Sequence, residues 1–191
     1  MEAFLRNFLP RLLTRSSFAI YAHQSKQEML GRLEARLLGY SKWLPSNMRV
    51  IVLLDRDRDD CIELKARLEA ACGKANLRTP SSSGGAAYQV LNRIVVEELE
   101  AWYFGDWEAV RTAYPKSPAN VSSKSQYRNP DNISGGTWEA FERVMQRAGY
   151  FKGGLRKIEA AQNIAPHITV ERNTSHSFRL LCDALASFEG K

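Results

Sequence analysis

The sequence predicts an α/β protein with a mostly parallel sheet flanked by helices and a helical C-terminal part. Two observations carry that expectation. Short β-branched runs at 49–54 and 88–96 alternate with amphipathic stretches of helical period, and the 191-residue length lies within the size of one domain. That domain is read as 1–191, with a core over about 1–113 and a loop and helices over about 114–191.

Met1–Leu13 opens the chain as an amphipathic helix, because Phe4, Leu5, Phe8, Leu9, Leu12 and Leu13 share one stripe. Ser17–Ala22 reads as a short strand, and Gln27–Leu38 resumes the helical period through Met29, Leu30, Leu33, Leu37 and Leu38. The run Arg49–Leu54 is uninterrupted and apolar, as expected of a central strand covered on both faces. Asp60–Ala71 follows as a helix, Thr79–Gly85 as a protease-sensitive loop, and Tyr88–Val96 as a second strand. Glu98–Phe104 reads as a helical turn, with Asp106 capping a helix to Ala113. Tyr114–Thr137 is rich in Pro, Ser, Asn and Gly, a composition that is either functional or mobile. Thr137 then caps a helix over Trp138–Ala148, and Ser175–Phe188 is a terminal helix.

Composition excludes several classes. A hydrophobic fraction of 44% and a charged fraction of 25% are ordinary globular values. No apolar run approaches the roughly 20 residues that span a bilayer, and the opening has no signal-peptide order. A soluble, cytoplasmic protein without membrane contact is expected. Cys61, Cys72 and Cys182 are odd in number and widely spaced, which argues against disulfides and structural zinc, and His23, His167 and His176 are scattered. The net charge of +6 suits a polyanionic partner, although the basic residues are spread along the chain, as on a solvated face.

The most specific motif is Val-Ile-Val-Leu-Leu-Asp55-Arg56-Asp57-Arg58-Asp59-Asp60-Cys61, a strand that ends in several carboxylates. Like charges repel, and a hard divalent ion that draws oxygen ligands together offsets the repulsion. Asp59 or Asp60 has a simpler use as the cap of the next helix. Asp55 and Asp57 stand too far ahead for that, so they either hold a metal or are neutralised by Arg56 and Arg58. A second run, Arg93-Ile-Val-Val-Glu97-Glu98-Leu99-Glu100-Ala-Trp102-Tyr-Phe-Gly-Asp106, also passes from β-branched to acidic. If the two strands are parallel neighbours, both acidic ends share one sheet edge and form one site. Trp102, Tyr103, Phe104 and Trp107 read as core rather than a base-stacking platform. Ser175-His176-Ser177 has no nearby Asp, and Ser175 serves as a helix cap.

Taken together with Gly149-Tyr150-Phe151-Lys152 and Ser175-His176-Ser177-Phe178, these motifs resemble a bacterial family of Toprim-like proteins of unknown function, domain of unknown function 4276, over nearly the whole chain. The resemblance implies a Toprim-like, Rossmann-like fold related to the overcoming-lysogenization-defect nucleases. It also implies magnesium or manganese held by Asp55, Asp57, Glu98 and Glu100, with Asp55, Asp57, Glu98 and Lys152 as catalytic candidates and Lys152 near the phosphate. The family pattern begins with an apolar strand ending in Glu, which is missing here; either the start lies downstream of the real one or the chain is a shortened member. The expected activity is a metal-dependent nuclease or phosphodiester-processing subunit acting on DNA or RNA in bacterial defence. The alternative is a non-catalytic subunit that binds a partner ATPase, and a homodimer stays open.

Overall fold

The computed structural model describes residues 1–57 and 59–189. Its order is α1 (Glu2–Leu12), α2 (Lys26–Ser41), β1 (Val50–Asp55), α3 (Cys61–Lys74), β2 (Val90–Val95), α4 (Glu100–Gly105), α5 (Trp107–Ala113), α6 (Thr137–Arg147), α7 (Lys157–Ile164) and α8 (His176–Phe188). Short 3-10 turns cover Ser125–Tyr127, Pro130–Asn132 and Ala165–His167. The predicted α/β class holds, with a parallel sheet of two strands among the described residues. The chain gathers into two compact units: Ala22–Val95, and Met1–Tyr21 together with Val96–Lys191. No helix among the described residues is long and apolar enough to cross a membrane.

Ala22–Val95 is a βαβ unit with one preceding helix. Parallel strands need a crossover, and α3 supplies it, leaving β1 and β2 in register from Val50 opposite Val90 to Asp55 opposite Val95. Leu33 and Leu37 of α2, Val52 and Leu54 of β1, and Leu64, Leu68 and Cys72 of α3 form its apolar core. Helices α2 and α3 cover the face of β1 that carries Val52 and Leu54, so the alternate residue Ile51 is 36% exposed. The expectation of a central strand buried on both faces is therefore corrected: β1 is one of two strands among the described residues and reads as alternating. Behind β2, the fully buried Asn92 donates to Glu69 Oε1 at 2.9 Å, while Thr79 donates to Oε2 and Lys65 pairs with the carboxylate at 3.0 Å. These bonds fasten the entrance of the 79–85 loop, which is a series of turns as expected.

The other unit is built on aromatic packing. Phe4 and Phe8 of α1, Trp102 of α4 and Phe178 of α8 lie with ring centroids 5.2–5.4 Å apart, and Phe104 stacks on Tyr127 at 4.9 Å. Trp102, Tyr103, Phe104 and Trp107 are all buried, which confirms their reading as core. Gly105 closes α4 against Asn173: a Cβ there would collide with the Asn173 amide, which donates to Trp102 O at 2.9 Å and accepts from Ser175 N at 2.9 Å.

Three local expectations change. Ser17–Ala22 forms no strand among the described residues and is largely exposed. Thr137 is the first residue of α6, not its cap, because its hydroxyl and Trp138 N turn to Glu98 instead. Helix α7 was not foreseen, since Ile158 faces solvent while Ala160, Ala161 and Ile164 are buried, and the apolar stripe is correspondingly thin.

Candidate metal centre

The strand β1 delivers Asp55 to its carboxyl end, half-buried and opposite Val95, and Arg56 N extends the ladder by donating to Val95 O at 2.9 Å. The chain then turns through Asp57, whose φ of 51° lies in the left-handed region that Asp tolerates better than most residues. Asp60 caps α3 as expected, accepting from Ile62 N at 2.7 Å and Glu63 N at 3.0 Å. That leaves Asp57 and Asp59 for other work.

Both carboxylates converge on one cation supplied by the chain. Lys26 Nζ, at the start of α2, lies 2.6 Å from Asp57 Oδ2 and 2.8 Å from Asp59 Oδ2, and it donates to Asp55 O at 3.2 Å and Arg56 O at 2.9 Å. Burial, the largest single influence, pulls the Lys26 pKa down, but hydrogen bonds and charge from Asp57 and Asp59 outweigh it and hold it above the ordinary lysine value. The alternative to a metal at Asp55 and Asp57 was neutralisation by Arg56 and Arg58. Lys26 performs it for Asp57 and Asp59, and Arg58 lies outside the described residues.

The second acidic segment lies in the other unit. Glu98 Oε2 accepts from Trp138 N at 3.1 Å and Thr137 Oγ1 at 3.2 Å, so it caps α6. Glu100 is buried in the first turn of α4. Asp106 is buried and takes four hydrogen bonds: Ala109 N at 3.3 Å, Thr169 N at 2.9 Å, and Arg172 Nε and Nη2 at 3.0 Å each. Hydrogen bonds to Asp106, which outweigh the opposing effect of burial, and then the Asp106 charge raise the Arg172 guanidinium pKa. Lys152 is exposed on the connection between α6 and α7, after Phe151 with its φ of 51°. The strands β1 and β2 are the parallel neighbours that the one-site expectation required. Among the described residues, no group of three or more His, Cys, Asp or Glu side chains is placed to hold one ion.

Over residues 1–186 the sequence matches the family described as Domain of unknown function (DUF4276). The chain belongs to that family. No curated protein and no solved structure matches it.

In this DUF4276 chain two polar groupings escaped sequence reasoning. One is Lys26 with Asp57 and Asp59; its only local signal is a lysine opening a helix, where the helix dipole disfavours a cation unless carboxylates are near. The other is Asp131, which accepts from Ser175 Oγ at 2.7 Å and from Ser177 Oγ and Ser177 N at 3.1 Å each. An Asp thus stands beside the Ser-His-Ser motif after all, but His176 is exposed and the bonds dock the N-terminus of α8, so the structural reading stands.

Proposed function

We propose that this chain is a divalent-metal-dependent nuclease or phosphodiester-processing subunit acting on nucleic acid, on a Toprim-like scaffold. The observation behind the reading is the turn after β1, where two carboxylates and two main-chain carbonyls surround a single cation position. This set fits magnesium or manganese, which favour oxygen ligands. Asp57 would hold the ion, with Asp55 beside it at the strand end. A bound ion would activate water and stabilise charge on the phosphate. Glu98 and Glu100 enter as the acidic end of the family pattern while serving α4 and α6, and exposed Lys152 is assigned to phosphate contact. The net charge of +6 supports backbone contact without reading of sequence.

The test is cleavage of supercoiled DNA and of single-stranded RNA with manganese. Wild type is expected to cut at least one of them, and Asp57→Asn to abolish the cut. Equal activity in the two proteins would overturn the reading. Occupation of the cation position by Lys26 favours a second reading, a non-catalytic subunit that binds a partner ATPase. Its expected signature is a stable complex with an ATPase encoded beside it and no cleavage by either protein alone. The place of either activity in bacterial defence rests on the family resemblance, and phage plating on cells expressing wild type or Asp57→Asn tests it.

A further inference from the structure

Within Ala22–Val95, the acidic turn carries its own counter-ion. Lys26 is the first residue of α2, after the Ser25 cap that accepts from Glu28 N at 3.1 Å. Its side chain is only 14% exposed, and its four oxygen neighbours stand 2.6–3.2 Å away. Without it, the Asp57 and Asp59 carboxylates would face each other with two carbonyl dipoles turned the same way. Magnesium binds oxygen at about 2.1 Å, shorter than any of these distances, so an ion and the ammonium cannot share the position.

We infer that Lys26 is a tethered cation that keeps Asp57 and Asp59 together when no divalent ion is bound, and that such an ion enters the turn by displacing it. Lys26 thereby sets the metal affinity of the turn. This rests on the metal reading above but goes beyond it, because it assigns the exchange to a residue outside the acidic motif.

Manganese binding followed by the electron paramagnetic resonance signal of the free ion tests it on four proteins: wild type, Lys26→Met, Asp57→Asn and the double variant. Lys26→Met is expected to bind manganese about tenfold more tightly or better than wild type. Manganese should also raise the melting temperature of Lys26→Met more than that of wild type, and adding Asp57→Asn should abolish both gains. Lys26→Gln, which keeps a hydrogen-bond donor without the charge, is expected to give the same order and serves if the Met variant does not fold. Equal or weaker binding by the Lys26 variants, or tight binding that survives Asp57→Asn, would overturn the inference. Wild-type binding that is lost in Asp57→Asn but unmoved by Lys26→Met would sink the displacement and leave the metal reading standing, whereas binding by none of the proteins sinks both.

Discussion

Replacing Asp106 with Ala removes a carboxylate on which two segments of one unit converge. The side chain is 1% exposed, and its partner Arg172 is 46% exposed. Loss of the α5 cap costs about 1 kcal/mol. Thr169 N is left without its acceptor, at about 1–3 kcal/mol. Arg172 is half-exposed and still has the His167 carbonyl as an acceptor, so its share is small, about 0–1 kcal/mol. The sum is about 3 kcal/mol, a large part of the roughly 5–15 kcal/mol that holds a typical domain together. With a urea slope of about 2 kcal/mol/M, the midpoint falls by about 1.5 M at an unchanged slope. Tryptophan fluorescence is the assay, because Trp102 and Trp107 are buried in the same unit. The double variant Asp106→Ala, Arg172→Ala is expected within about 0.5 kcal/mol of Asp106→Ala, since the ion pair is already gone and only an exposed bond to His167 O is left to lose. A cost below about 1 kcal/mol, or full additivity, would refute this account of the corner.

Two further predictions concern ionisation. Burial pushes the Glu69 pKa up, but hydrogen bonds from Thr79, Asn92 and Lys65 outweigh it and hold the carboxyl below its ordinary 4.5, so its stabilisation is present above that value and lost as pH falls through the lowered one. Urea midpoints of wild type and Glu69→Gln should therefore differ at neutral pH and converge in acid, and a gap independent of pH would contradict this. Burial also raises the Cys72 thiol and pushes Cys182 up to about 12, while Cys61 is partly exposed. In native protein a thiol reagent should modify Cys61 alone, with all three reacting in denaturant; fast native labelling of Cys182 would show that the α8 packing opens.

The parts of the fold legible in the sequence are those written by local rules. The stripe of α1, the β-branched runs of β1 and β2, and the caps Asp60, Asp106 and Ser175 need only neighbours within a turn. What escaped depends on distant groups. Glu98 reaches Thr137 across 39 positions, and Asp131 reaches Ser175 across 44, so neither bond leaves a periodic trace. The strand expected at Ser17–Ala22 had the right residues, yet none forms there among the described residues, because strand pairing depends on distant segments. For the site, the acidic turn itself was visible as a run of carboxylates in one segment. That the turn also takes a cation from Lys26 of the preceding helix is not legible in the segment itself.

The central claim is that the turn after β1 is a cation site. Manganese added to isotope-labelled wild type, observed through paramagnetic broadening of amide signals, tests it most directly, because weak occupancy suffices and the position is read out. The account predicts broadening centred on Asp55–Asp60 and the start of α2, abolished by the Asp55→Asn, Asp57→Asn double variant. Broadening centred elsewhere, or none at all, would contradict it.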